Sequence, residues 1–156
     1  MYNKAILKSI LLTIVIIAGC KPSVPSKSEI FQDYLIQSHN KIIPENLHYF
    51  IVVPGYGCMG CYQAFIPHLT KELHSVSNCV SFIVSNKEYM NDSFFVNYEF
   101  LADSNRIIDY LPLDIANLTV ILTKDSQIQK VIHLNTTSET TDFINELQVH
   151  SPGTDK

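Results

Sequence analysis

The sequence of 156 residues contains no tryptophan, only five glycines and no cluster of basic residues. Its formal net charge of −4 provides no positive surface for a nucleic acid. It also lacks a phosphate-binding glycine loop, a constellation of paired carboxylates and a serine-triad motif. These absences argue against nucleic-acid binding, nucleotide binding and the common hydrolase chemistries, and no internal repeat is present.

Long apolar runs are also absent, except for one near the amino terminus. Lys4 and Lys8 precede an apolar stretch over 10–17, and two small residues then lead directly to Cys20. An apolar segment of this length is too short to span a bilayer, and these flanks are typical of an export signal. We therefore predict that residues 1–19 are a signal peptide and no part of the fold.

The end of this segment, Ile17-Ala18-Gly19-Cys20, resembles a bacterial lipobox, in which the signal is cut before the cysteine and that cysteine is lipidated. Each buried methylene adds about 0.8 kcal/mol to membrane binding, so several acyl chains on Cys20 would form a stable anchor. The alternative is an ordinary signal peptide with an incidental cysteine. The remaining 137 residues, with nine basic against fifteen acidic ones, suffice for one domain.

The dominant feature of the mature chain is an apolar stretch followed by two closely spaced cysteines. Residues 48–53, His-Tyr-Phe-Ile-Val-Val, suit a strand that is buried on both faces. A turn over 54–57 ends the strand, and Cys58 and Cys61 follow. Apolar residues then recur at helical spacing, namely Phe65, Ile66, Leu69 and Leu73. The pattern predicts a strand, a turn, a Cys-x-x-Cys motif and a helix, in that order.

This order has a chemical consequence for Cys58, which lies at the start of the predicted helix. Unpaired backbone N–H groups and the helix dipole favour an anion there, so its thiol pKa should fall below the ~8.5 of a free cysteine. Cys61, one turn further on, is close enough to form a disulfide with Cys58, so that one thiol attacks and the other resolves the mixed disulfide. A permanent disulfide or half of a metal site is the competing interpretation, but zinc normally needs four ligands and no second Cys-x-x-Cys exists.

Local signals predict the other elements. Capping boxes over 26–29 and 136–139 mark the starts of an N-terminal helix and of a last helix. Apolar runs and turn signals predict three further strands over 79–84, 118–122 and 128–134. They also predict a short irregular strand over 94–100 and a short helix over 106–111. Cys79 is expected to be an inert buried thiol. His48 and His68 lack ligand spacing to the cysteine pair and are expected to be surface residues.

The order β-α(Cys-x-x-Cys)-β-α-β-β-α resembles the thioredoxin fold over about Leu47 to Gln148. Together with the signal and the lipobox, it resembles the membrane-anchored TlpA-type thiol–disulfide proteins of bacteria. The resemblance implies an α/β fold with a central mixed β-sheet flanked by helices, Cys58 as the nucleophile and Cys61 as the resolving thiol. Pro67 fits the kinking proline that the family carries in its first helix.

The predicted organisation has four parts. A lipoprotein signal peptide over 1–19 is followed by a lipidated linker with an N-terminal helix over 20–46. A thioredoxin-like domain over 47–150 and a polar tail over 151–156 complete the chain as predicted from the sequence.

Three positions depart from the family pattern. Leu118 stands where the family has a cis-proline opposite the dithiol, and a cis bond there would cost about 3 kcal/mol, so a trans bond is expected. Gly57 replaces a frequent tryptophan, and Val52 lies near the position of thioredoxin's buried acid. We expect Tyr56 and Leu118 beside a substrate groove, although packing of the turn explains Tyr56 equally well.

The predicted function is that of a thiol–disulfide oxidoreductase, anchored by Cys20 in the bacterial cell envelope and facing the periplasm or the exterior. Outside the cytosol a close dithiol can be oxidised and cycle. Exported proteins and a membrane electron donor or acceptor would be its partners, without a cofactor, a bound metal or a nucleic acid. The alternative is a non-catalytic thioredoxin-like lipoprotein that binds a partner or a metal. The intact Cys58–Cys61 pair favours the first function, and the departures from the family favour the second.

Overall fold

The computed structural model of the protein describes residues 24–57, 59–85 and 95–150, with only the backbone of 59–61 and 148–150. The helices of these ranges are α1 Lys27–His39, α2 Met59–Glu72 and α3 Thr137–His150, with 3₁₀ segments at Leu73–Cys79 and Ile108–Tyr110. The strands are β1 His48–Val53, β2 Val80–Val84, β3 Glu99–Ala102, β4 Leu118–Lys124 and β5 Gln127–Leu134. The predicted signal peptide, Cys20 and the predicted polar tail lie outside the described residues.

The strands form one mixed sheet in the order β3-β2-β1-β4-β5. β1 pairs in parallel with β2, and β2 with β3, whereas β4 runs antiparallel to both β1 and β5. The apolar stretch over 48–53 therefore forms the central strand of the sheet. This mixed sheet flanked by helices is the architecture of the thioredoxin-like fold class, and that prediction is confirmed.

The alternation of side chains along β1 divides the core between the two faces of the sheet. Ile51 and Val53 point to one face, where they belong to a cluster with buried residues of α2 and α3. Phe50 and Val52 belong to a second cluster on the other face, which α1 covers with three buried side chains, Phe31, Tyr34 and Leu35. Because both faces are covered, β1 needs apolar residues at every position after its first.

Both predicted capping boxes are confirmed. Ser26 Oγ accepts the Glu29 N–H at 3.2 Å, and Glu29 Oε2 accepts the Ser26 N–H at 2.6 Å. Thr136 and Glu139 form the same reciprocal pair at 3.2 and 3.0 Å. The reciprocal bonds satisfy N–H groups that have no partner inside the helix, so each box fixes where its helix begins.

The segment after α2 differs from the prediction. The helix continues as a 3₁₀ segment to Cys79, so that β2 starts one residue later, at Val80. Val76, with φ −120° and ψ 19°, marks a kink within that segment. The free thiol of Cys79 is partly exposed at the end of the segment, and the prediction of a buried thiol in a strand is wrong.

The short helix predicted over 106–111 is reduced to one 3₁₀ turn, Ile108–Tyr110. Arg106 has a φ of 58°, in the left-handed region, and therefore cannot open a right-handed helix. Asp103 caps this turn, because its carboxylate accepts the N–H groups of Ile107 and Ile108 at 3.0 and 2.8 Å. The irregular strand predicted over 94–100 is displaced towards the C-terminus, to β3. Within the described ranges, no helix is both long and apolar enough to cross a membrane.

Replacing Phe31 with alanine is expected to destabilise the protein by about 3–5 kcal/mol, because a cavity would open between α1 and the sheet. Phe31 is fully buried, and its ring meets that of Phe50 edge-on with centroids 5.0 Å apart. Urea unfolding of the purified protein measures the effect, with Ile36→Ala as the control because Ile36 is 46% exposed on the same helix. Equal losses in the two variants would show that α1 does not share the cooperative core.

Candidate functional site

The turn over 54–57 connects the central strand to the predicted cysteine pair. The helix α2 begins at Met59, so a helix start follows directly after Cys58 as the sequence predicts. Cys58 itself lies outside the described residues, and Cys61 is described only as helical backbone in the first turn of α2. The described part of the site consists of the side chains that hold the turn in place.

Gly57 has no room for a side chain. Its φ of 142° is a conformation that residues with a side chain rarely adopt. A Cβ atom on Gly57 would collide with the Tyr62 hydroxyl and would lie 2.9 Å from Tyr62 Cζ. The buried Tyr62 donates its hydroxyl to the carbonyl oxygen of Tyr56 at 2.9 Å. The contact explains why a bulky residue such as the family's tryptophan cannot stand at position 57.

The segment before β4 lies against the other side of the turn. The Tyr56 hydroxyl donates to the Ile115 carbonyl oxygen at 2.9 Å, and Asn117 Oδ1 lies 3.5 Å from the position of a Cβ on Gly57. The structure thus brings the turn before Cys58 against the segment that the resemblance places opposite the dithiol. Since no cis peptide bond occurs among the described residues, the bond before Leu118 is trans.

The two residues predicted to lie beside a substrate groove have different environments. Tyr56 is 42% exposed at the turn and is available to an incoming chain. Leu118 is 1% exposed and belongs to the core cluster under α2, so its side chain does not line a groove and only its main chain can contribute to one. The inward face of β4 begins at this residue, and the position of Leu118 beside a substrate groove stays a prediction that concerns its main chain.

Side chains fix the segment before β4 in the absence of the family's proline. The fully buried Thr119 Oγ1 donates to the Ala116 carbonyl oxygen at 2.8 Å and accepts the Ala116 N–H at 3.1 Å. Asn117 Nδ2 donates to Asn135 Oδ1 at 2.9 Å, which ties the segment to the end of β5.

Asp109 was not predicted from the sequence; its side chain is 0% exposed and contacts the main chain of the turn at Gly55. Its carboxylate accepts the Gly55 N–H at 3.0 Å, the Ser85 hydroxyl at 2.9 Å and the Arg106 Nε–H at 2.9 Å. The available signal was an acidic residue inside the otherwise apolar run Ile107-Ile108-Asp109-Tyr110-Leu111. A carboxylate in such a run indicates a buried polar contact.

Two neighbours of Asp109 keep their protons near neutral pH. The hydrogen bond to Asp109 raises the pKa of the Arg106 guanidinium, which therefore stays charged beside the turn. Burial, with a smaller contribution from Asp109, raises the pKa of Tyr56, so that its phenol remains the donor to Ile115.

His48 lies at the opposite end of β1 and is half-buried, so the prediction of a surface histidine is wrong for it; His68 is exposed as predicted. His48 Nε2 lies 2.8 Å from Ser81 Oγ, which donates to Glu99 Oε2 at 2.6 Å, and Lys41 pairs with the same carboxylate. His48, Ser81 and Glu99 border a cleft of about 430 Å³. Among the described residues, no three histidine, cysteine or acidic side chains are placed to hold a metal ion.

No protein-family model matches the sequence, and no curated protein matches it. Among solved structures, the chain is similar to a thioredoxin-like protein from Bacteroides caccae ATCC 43185, with 17% sequence identity and a TM-score of 0.43. The alignment covers 83% of this chain and 57% of that one, so the chain spans little more than half the length of that protein. At this identity the similarity concerns the fold alone and assigns no role to any residue.

Gly57→Ala is expected to destabilise the protein by about 1–3 kcal/mol, because the new methyl group combines a strained φ with a collision against Tyr62. Tyr62→Phe alone removes the hydrogen bond to Tyr56 and should cost about 1 kcal/mol. The double variant should lose less than the sum of the two, since the hydroxyl that the methyl group meets is gone. Urea unfolding of all three proteins measures the coupling, and strict additivity would contradict the close contact.

The stability of the protein should depend on pH through His48, because burial lowers its pKa below the ordinary value of about 6.5. The stabilisation is complete above about pH 6.5 and is lost as the pH falls towards the folded pKa, since the unfolded chain then binds a proton that the folded chain does not. His48→Gln should weaken this dependence in urea unfolding at a series of pH values, whereas His68→Gln should not. The dependence would not vanish, because burial also lowers the pKa of His39.

Proposed function

We propose that this protein exchanges thiols and disulfides through Cys58 and Cys61. The observation that carries the proposal is that α2 begins at Met59, so that one cysteine directly precedes the helix and the other falls in its first turn. A helix start stabilises a thiolate through its free N–H groups and its dipole. The central strand of the mixed sheet leads into this helix start, and the segment before β4 lies against the turn through the bond from the Tyr56 hydroxyl to Ile115.

The reaction is a pair of nucleophilic displacements at sulfur. The Cys58 thiolate attacks one sulfur of a substrate disulfide, which forms a mixed disulfide and releases the other substrate sulfur as a thiolate that takes up a proton. The Cys61 thiolate then attacks the Cys58 sulfur and releases the second substrate thiol. Two electrons pass to the substrate, and a Cys58–Cys61 disulfide remains; the same steps in reverse oxidise a substrate dithiol.

We place this activity at the bacterial cell envelope, on the basis of the sequence before residue 24. The export signal over 1–19 and the lipobox at Cys20 support a lipid-anchored protein that faces the periplasm or the exterior. Exported proteins that carry thiols or disulfides are the proposed substrates, and a membrane-bound donor or acceptor restores the dithiol. The partly exposed Tyr56 is the proposed contact for a substrate chain beside the turn.

Cys58→Ser is expected to abolish catalysed reduction of insulin disulfides by dithiothreitol, because the attacking sulfur is gone. Cys61→Ser should trap mixed disulfides that mass spectrometry identifies on Cys58, because the resolving thiol is missing. Cys79→Ser is the matched control, since Cys79 is a free thiol at the end of the 3₁₀ segment before β2 and should leave turnover unchanged.

A wild-type protein that accelerates neither insulin reduction nor exchange with a glutathione redox buffer would count against catalysis. The same result with a stable Cys58–Cys61 disulfide would favour a non-catalytic binding protein of the same fold. Turnover that depends on Cys79 would also contradict the proposal.

A further inference from the structure

We propose that Asp109 is a positioning residue for the dithiol: its buried carboxylate holds the Gly55 main chain and thereby sets where the turn delivers Cys58 to the start of α2. The inference rests on the proposed function of Cys58 and names a residue outside the Cys-x-x-Cys segment on which the reactivity of that thiol depends.

The backbone leaves the sheet at the point where Asp109 contacts it. The Val53 carbonyl oxygen is still paired with the Ser85 N–H at 3.1 Å, but Gly55, two residues later, lies beyond the described ladder between β1 and β2. The Asp109 carboxylate accepts the Gly55 N–H at 3.0 Å. Gly55 stands three residues before Cys58, so a change in the direction of its main chain is carried along the turn to the cysteine.

The approach between Gly55 and the ion pair is close. A Cβ on Gly55 would lie 2.7 Å from Cζ of Arg106, whose Nε donates to Asp109. On its other side, the turn is held by the bond from the Tyr62 hydroxyl to the Tyr56 carbonyl oxygen. Two side chains therefore fix the turn. The Tyr62 phenol holds it from the side of α2, and the Asp109 carboxylate holds it by accepting the Gly55 N–H.

Asp109 is itself held rigidly. The Asp103 carboxylate accepts the N–H groups of Ile107 and Ile108, which shapes the 3₁₀ turn that carries Asp109. The Ser85 hydroxyl, at the end of β2, donates to the second carboxylate oxygen at 2.9 Å. A carboxylate with fixed partners on β2 and on the 3₁₀ turn can transmit their position to the turn, which a mobile surface acid cannot.

The test separates hydrogen bonding from charge by comparing two neutral variants. In Asp109→Asn, the amide oxygen can still accept from Gly55 and Arg106 while the amide nitrogen donates to the Ser85 hydroxyl. In Asp109→Ala all three bonds are lost. Any difference in Cys58 reactivity between these two variants therefore comes from geometry and not from removal of the negative charge.

The measurement is the rate of iodoacetamide alkylation of the reduced full-length protein at pH 7, followed for each cysteine-containing peptide by mass spectrometry. We expect Cys58 in Asp109→Ala to react about three to ten times more slowly than in Asp109→Asn, because a displaced thiol loses part of the helix-terminus stabilisation of its thiolate. Cys79, far from the turn, serves as an internal reference thiol whose rate should not change. Ser85→Ala removes one of the bonds that hold the carboxylate but leaves its bond to Gly55, so its Cys58 rate should lie between those of wild type and Asp109→Ala.

Equal Cys58 rates in the alanine and asparagine variants would overturn the proposal, as would a Ser85→Ala variant that slows Cys58 more than Asp109→Ala does. Should Asp109→Ala fail to fold, Asp109→Ser replaces it, since a serine hydroxyl is too short to reach Gly55, and the same comparison with asparagine applies. Alkylation needs no disulfide substrate. A protein that is inactive with insulin but shows the predicted rate difference would refute the proposed function alone, and an active protein without the difference would refute the role of Asp109 alone.

Discussion

A backbone N–H that leaves a sheet inside a protein must find a new acceptor, and this requirement governs the end of the central strand. The described ladder between β1 and β2 ends at Val53, and the Gly55 N–H bonds to the Asp109 carboxylate. A buried carboxylate is tolerated there because Arg106 and Ser85 donate to it as well. The turn that precedes the cysteine pair thus depends on a side chain that lies on a different part of the chain.

The same requirement links the N-terminal helix to this end of the sheet. Burial, followed by the nearby Asp103, raises the pKa of Tyr34 on α1, so its phenol keeps its proton among buried neighbours. Asp103 in turn caps the 3₁₀ turn that carries Asp109. Tyr34 of α1 therefore lies beside Asp103, which caps the 3₁₀ turn that carries Asp109. Loss of α1 would remove apolar packing and also one of the groups around this loop.

Local patterns predicted those parts of the structure whose causes are local. The capping boxes at Ser26 and Thr136 each depend on residues three positions apart, and the structure contains both. The burial of β1 followed from its uninterrupted apolar run. Asp109 could not be found in this way, because its partners Gly55 and Ser85 lie 54 and 24 residues away in sequence. The burial of His48 likewise depends on strands that join it only in the folded sheet.

The start of β4 is held by hydrogen bonds where the resemblance led us to consider a cis-proline. The resemblance implied a cis-proline there, and the sequence has Leu118, whose preceding bond is trans and whose side chain enters the core. The main chain before it is nevertheless fixed, because Thr119 both donates to and accepts from Ala116 and because Tyr56 donates to Ile115. A rigid ring at one residue is thereby replaced by hydrogen bonds from two side chains. The bond from Tyr56 to Ile115 comes from the turn before Cys58, so it fixes the position of the turn relative to the segment before β4. Tyr56 is also the proposed contact for a substrate chain.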